Sequence, residues 1–143
     1  MDTSAERSQV LAALAESVCS DPDVVFAVAF GSWITADPTP SSDVDLAVKF
    51  GEERSDRERF EKRCFLSGDL QREGFPFVDV SDIDFLPLDV AHDAVNGELL
   101  CGDEQAFERF TTEIEDEFDE QRETLRRRQR AVIDRIAEDG LRG

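Results

Sequence analysis

The sequence has no tyrosine, and in 143 residues it has one histidine, one methionine, one tryptophan and two lysines, Lys49 and Lys62. Each scarcity excludes something. No phenol of this chain can act as a nucleophile or accept a transferred group. A lone His92, with no His or Cys at ligand spacing, makes no zinc site and reads as a surface or helix-end residue. Cys19, Cys64 and Cys101 are an odd set at wide spacing without a CxxC, which predicts reduced, partly buried thiols rather than a disulfide framework. No apolar run approaches the ~20 residues of a membrane span. The opening MDTSAERSQV lacks the charged-then-apolar pattern of a signal peptide, so a cytoplasmic location is expected.

Positive charge is scarce as well. Asp and Glu number 34 against 16 Lys and Arg, a formal net charge of -18. That repels an anionic membrane and argues against stable nucleic-acid binding. It does not exclude an enzyme that holds a nucleotide through a divalent cation, which inverts the local sign. Few lysines among many carboxylates is the composition of a protein kept soluble in very high salt, where the screening length falls to about 3 Å at 1 M. A halophilic cytoplasm is the expectation. A chain of 143 residues that is 40% hydrophobic can bury a core, so one domain over 1–143 is expected.

What is present alternates in type. Thr3 or Ser4 can cap a first helix with Val10, Leu11, Leu14 and Val18 on one face, ended by Asp21-Pro22. VVFAVAFG, Val24 to Gly31, reads as a strand buried on both faces. A Pro-containing loop leads to DVDLAVKF, Asp43 to Phe50, a second strand. A charged helix follows over about 54–73 with Phe60, Cys64 and Leu70 facing in, ended by Gly74. Phe77 to Phe85 is a third strand, stopped by Pro87; Val90 to Val95 is a short helix ending at Asn96-Gly97; Glu98 to Cys101 is extended. The remainder is helical. Phe107, Phe110, Ile114 and Phe118 form one stripe that Leu125, Val132 and Ile136 continue. The predicted class is α/β: a small mixed sheet with flanking helices, a core over about 20–101 and C-terminal helices over about 103–139.

One constellation carries chemistry. The first strand ends in Gly31-Ser32, and after ten residues the second opens with Asp43-Val44-Asp45. Side chains two apart on a strand share a face, so the two carboxylates project together beside the loop. Oxygen ligands of this kind suit Mg²⁺ that bridges substrate phosphates. Gly31 allows backbone to approach a phosphate, and the Ser32 hydroxyl can donate to it. A third carboxylate is wanted for a second metal and for activating an attacking hydroxyl. Asp79, Asp82 and Asp84 are the choices, with Asp84 the weakest. Asp79 is preferred because it lies in the apolar stretch FPFVDVSDIDF, where an unpaired carboxylate would be costly.

Gly31-Ser32, ten residues, Asp43-x-Asp45 resembles the signature of the DNA polymerase beta-like nucleotidyltransferases. SSDVDLAV, Ser41 to Val48, and FVDVSDID, Phe77 to Asp84, look like the minimal nucleotidyltransferase (MNT) family. VNGELLCGDEQAFERF, Val95 to Phe110, is similar to its antitoxin branch, which pairs with HEPN-domain toxins. The resemblance covers about 24–110 and implies a polymerase beta-like fold using ATP and Mg²⁺. It implies transfer of AMP to a tyrosine of the partner toxin, silencing its RNase activity. On that reading Asp43, Asp45 and Asp79 hold the metals, Asp79 is also a candidate base, and Gly31 and Ser32 bind the triphosphate. Since the chain has no tyrosine, such an acceptor must lie on the partner. The family often has Arg or another polar residue directly after Gly-Ser; here it is Trp33, which packs against the sheet or stacks on the base. Two alternatives stand beside this reading: the same fold neutralising its partner by binding alone, or a nucleotidyltransferase acting on a small molecule or nucleic-acid end.

The other features have plainer readings. Arg122, Arg126, Arg127, Arg128 and Arg130 are the one basic cluster, read first as a solvated helix face answering Glu117, Glu120 and Glu123. Lys49 either neutralises phosphate or is strand-edge charge. Thr35 to Ser42 is expected to move over the nucleotide. The composition also fits a haloarchaeal source.

Overall fold

A computed structural model of the chain describes residues 3–31, 34, 43–72 and 74–139. Helix α1 (Thr3–Cys19) leads to strand β1 (Val24–Phe30), strand β2 (Val44–Phe50) and helix α2 (Asp56–Asp69). Strand β3 (Val78–Asp82) runs into a short 3-10 turn, Ile83–Phe85. Helix α3 (Leu88–Val95), strand β4 (Glu98–Gly102) and helix α4 (Glu104–Asp139) complete the chain. The four strands form one mixed sheet in the order β3-β2-β1-β4. β1 is antiparallel to both neighbours, and β2 and β3, joined by a crossover through α2, are parallel. The small mixed sheet with flanking helices agrees with the class predicted from sequence.

The central place of β1 explains its unbroken apolar run: Phe26, Ala27, Val28 and Ala29 are all inaccessible to solvent. Alternation sorts the sheet into two faces. Val44, Leu46, Val48 and Phe50 meet Val10, Leu14 and Val18 of α1 and Leu66 and Leu70 of α2. Phe26, Val28, Phe30 and Ala47 meet Ala94 and Val95 of α3 and the first turns of α4, where Phe107 sets its ring edge-on to Phe26 at 5.3 Å. α2 starts on a reciprocal cap: the Ser55 hydroxyl accepts the Glu58 N–H, and the Glu58 carboxylate accepts the Ser55 N–H. Asp103 caps α4 by accepting the N–H groups of Gln105 and Ala106.

Four expectations are corrected. First, Phe60 and Cys64 point to solvent, and the inner positions of α2 are Arg59 and Leu66, with buried Leu70 just past its end. Arg59 takes the inward position because buried carboxylate waits there, and Phe60, one residue on, is turned about 100° away. Second, β3 ends at Asp82, not Phe85, because the Asp82 carboxylate accepts the Asp84 N–H at 3.0 Å and opens a turn. Third, Cys19 and Cys101 are not reduced thiols but a disulfide. α1 packs against β1 and β4, which brings two cysteines 82 apart in sequence to a Cα separation of 6.0 Å, well within bridging range. Wide spacing said nothing of this proximity. Fourth, the C-terminal segment is one continuous helix of 36 residues, not several. Its stripe is half-buried through Phe118, and every described side chain from Asp119 to Glu138 is exposed. Smaller differences lie at element ends: α2 spans Asp56–Asp69 and stops before Gly74, and β2 begins at Val44.

The charge carries a prediction. With a net charge of -18, self-repulsion favours the expanded state, and salt screens it. The thermal unfolding midpoint is expected to rise from low to molar KCl. A midpoint that stays level or falls counts against adaptation to high salt.

Candidate active site

The sequence signature gathers at one end of the sheet. The antiparallel turn from β1 to β2 and the parallel β2–β3 pairing put the end of β1 and the starts of β2 and β3 side by side. Asp45 lies opposite Phe30 on one side and Asp79 on the other. Asp45 and Asp79 share parity with Ala47, so they belong to the sheet face that α3 and α4 cover further along. At this end that face is left open: Asp43 and Asp79 are exposed and Asp45 is half-buried.

Among the described residues no cation forms an ion pair with Asp43, Asp45 or Asp79. The Asp45 carboxyl is held above its ordinary value, first by burial and then by the negative charges of Asp79 and Asp43. The three groups therefore sense one another, and a cation among them would relieve the strain.

Gly31 closes this corner. Its φ of 82° is the left-handed region, and a Cβ built on it would overlap the Asp45 carboxylate. Its carbonyl accepts the Ile34 N–H at 3.0 Å, so the chain turns at once after β1. Gly97, at the α3–β4 turn, packs so closely on the end of β1 that a Cβ would overlap the Ala29 carbonyl. From sequence alone Asn96-Gly97 is legible only as a helix stop. Ser32, Trp33 and the loop Thr35 to Ser42 lie outside the described residues.

The rival carboxylates are placed elsewhere. Asp82 is 6% exposed and sits 3.7 Å from the Arg59 guanidinium. Burial, above all, raises its pKa. Asp84 is 2.8 Å from both Lys49 and Arg59. Both are thus engaged with cations away from Asp45. Asp79 stands beside Asp45, but the burial argument that favoured it is wrong: Asp79 is exposed, and its neighbour in register is what singles it out. Lys49 also lies 5.6 Å from the centroid of the Phe110 ring, which accounts for it as a packed, paired cation. His92, in the last turn of α3, stacks on Phe118 at 3.8 Å.

Among the described residues no group of three or more His, Cys, Asp or Glu side chains closes around a metal position. The donor set is that of an open site instead: oxygen atoms only, unpaired with cations, at a strand edge facing solvent. Mg²⁺ uses such sites, taking one or two carboxylates and completing its shell with water and substrate phosphate.

The sequence profile of the polymerase beta nucleotidyltransferase family matches residues 13–106. No curated protein sequence matches. Among solved structures, similar chains come from a toxin–antitoxin complex with AMP-PNP, at 21% identity and a TM-score of 0.59 over 90% of this chain and 97% of that one. The toxin–antitoxin pair MntA-HepT gives 20% identity and a TM-score of 0.56 over 90% and 98%. A tri-AMPylated HEPN toxin in complex with MNT antitoxin from Shewanella oneidensis gives 20% and 0.57 over 89% and 98%. At these identities the likeness is one of fold, and it extends over nearly the whole of both chains.

Proposed function

The chain belongs to the polymerase beta nucleotidyltransferase family, and from that premise we propose that it is the antitoxin of a toxin–antitoxin pair, transferring AMP from ATP to a tyrosine of a HEPN-domain partner. One observation carries the catalytic part: Asp45 and Asp79 face each other across adjacent strands, with Asp43 two residues before Asp45 and Gly31 against the Asp45 carboxylate. The partner assignment is supported by the fold shared with MNT antitoxins crystallised with HEPN toxins.

The reaction assigns work to each group. The acceptor tyrosine oxygen attacks the α-phosphorus of ATP, its proton leaves to a base, and the bond to the β-phosphate oxygen breaks to release pyrophosphate. Asp79, exposed at the edge, would take that proton. Asp43 and Asp45 would hold Mg²⁺, and Asp79 would share in it; bound there, the ion neutralises charge on the phosphates. Gly31, without a side chain, leaves room for the triphosphate beside Asp45, and Ser32 would donate to it. The acceptor lies outside this chain, since no tyrosine is present in it.

Incubation with labelled ATP, Mg²⁺ and the product of the neighbouring gene, which this reading expects to be a HEPN protein, is the test. Label is expected on a partner tyrosine and none on this chain. Asp43→Asn with Asp45→Asn should abolish the label and leave the partner's RNase active. If the wild type transfers no label and both proteins still neutralise the toxin, neutralisation is by binding alone and the enzymatic reading fails.

A further inference from the structure

Asp79 sits where the sheet has least to hold it. Among the described residues β3 has a strand beside it on one side only, β2. In a parallel pair, alternate residues turn their backbone groups to the same neighbour. The Val44 N–H donates to the Phe77 carbonyl at 2.8 Å, so Phe77 and Asp79 face β2, and Val78 between them faces the outer edge. Val78 is inaccessible to solvent, so its N–H and C=O would be costly to leave unpaired there.

Gln71 closes that edge. It stands just past the end of α2, and its amide offers one acceptor oxygen and two donor hydrogens. The Val78 N–H donates to Gln71 Oε1 at 3.2 Å. Gln71 Nε2 donates to the Val78 carbonyl at 2.9 Å and to the Ser67 carbonyl at 2.7 Å. One side chain thus supplies both bonds that a further strand would make to Val78, and anchors them to the last turn of α2.

The residue after Val78 needs this support. Among the described residues the Asp79 carboxylate accepts no hydrogen bond and forms no ion pair. Asp45, its neighbour in register, carries like charge and repels it. The repulsion acts where the edge strand begins, and it tends to part the two carboxylates. A cation shared between them tolerates little parting, because Mg²⁺ holds its oxygens at about 2.1 Å.

We propose that Gln71 is a positioning residue for the metal-holding carboxylates: clamped on Val78, its amide keeps Asp79 opposite Asp45 at a separation one divalent cation can bridge. The inference rests on the nucleotidyltransferase reading of Asp45 and Asp79. Gln71 touches neither cation nor substrate and acts through β3 alone.

The test is a double-mutant cycle read by Mn²⁺ binding to the chain alone, which needs neither partner nor turnover. Electron paramagnetic resonance measures the free Mn²⁺, and molar KCl screens diffuse binding to a chain of net charge -18. Gln71→Met keeps the length of the side chain and loses the amide; it should bind about tenfold more weakly than the wild type. Asp79→Asn should weaken binding too. Gln71→Met added to Asp79→Asn should cost nothing further, because the clamp then has no carboxylate to place. All four chains are compared well below their melting temperatures, with matching far-UV circular dichroism. Should Gln71→Met not fold, Gln71→Glu takes its place, keeping the acceptor for the Val78 N–H, with a loss of the same sign expected. A Gln71 variant that binds Mn²⁺ as the wild type does overturns the proposal. So does a loss of equal size with and without the Asp79 carboxylate, which marks a general effect on the fold. A wild type that binds no Mn²⁺, or an Asp79→Asn chain that binds it as tightly as the wild type, is a separate failure: it overturns the site itself, and the proposal with it.

Discussion

An Asp45→Asn chain is expected to lose AMP transfer by about a thousand-fold or more while melting no lower than the wild type. The two halves come from one feature. Asp45 is half-buried, has no cationic partner among the described residues, and is pressed by Asp79 and Asp43. Its ionised form therefore burdens the folded state at neutral pH, and an amide of the same shape removes that burden. On the proposed function the same ionised form is what a divalent cation needs, so stability and activity would be set against each other at this residue. Added Mg²⁺ should raise the melting temperature of the wild type and not of the variant, because only the wild type binds it in the folded state. An Asp45→Asn chain that melts clearly lower, or that transfers AMP at the wild-type rate, contradicts the assignment. Asp82→Asn is expected to leave transfer intact, since Asp82 faces Arg59 rather than the open corner.

How much of this the residues disclosed in advance depends on how local each feature is. β1 was legible because a strand covered on both faces must be apolar throughout, and β2 because Asp43-x-Asp45 opens it beside Gly31. The neighbour of Asp45 was a different matter. Asp79, 34 residues on, comes to it through a parallel crossover, and parallel register is fixed by packing of α2, not by any spacing near Asp79. Burial was the wrong guide there, for Asp79 is exposed and it is Asp82 that is buried. Arg59 was invisible for the same reason: a charged residue on a charged helix reads as solvated until its partners, 23 and 25 residues on, are seen beneath it. Cys19 and Cys101 meet only because α1 lies along the sheet as far as β4.

Arg59 is where the largest loss of stability is expected. The residue is 8% exposed; its guanidinium donates to Asp84 at 2.8 Å and to the Gly51 carbonyl at 3.4 Å, and it lies 3.7 Å from Asp82. Arg59→Leu leaves these groups unequally placed. Asp84 keeps Lys49, at 2.8 Å, but the described residues offer buried Asp82 no other ion pair. Removing one partner of a buried pair costs about 3 kcal/mol, which at this chain length lowers the melting temperature by about 10 °C. The pH dependence follows from sign. Burial already holds Asp82 above the usual carboxylate range, so its ionised form weighs against the fold once pH exceeds that raised value. Without Arg59 the value moves higher still. The deficit of Arg59→Leu should therefore be largest near neutral pH and shrink as pH falls through the raised pKa of Asp82. Asp82→Asn in the same chain keeps an oxygen for the Asp84 N–H and removes the charge, and should recover more than half of the loss at neutral pH. A deficit that does not change with pH, or that Asp82→Asn leaves in place, would mean that Arg59 acts through its packing alone. The consequence for the site is direct: Asp82 ends the strand that carries Asp79, so an unpaired charge at one end of β3 loosens the carboxylate held opposite Asp45 at the other.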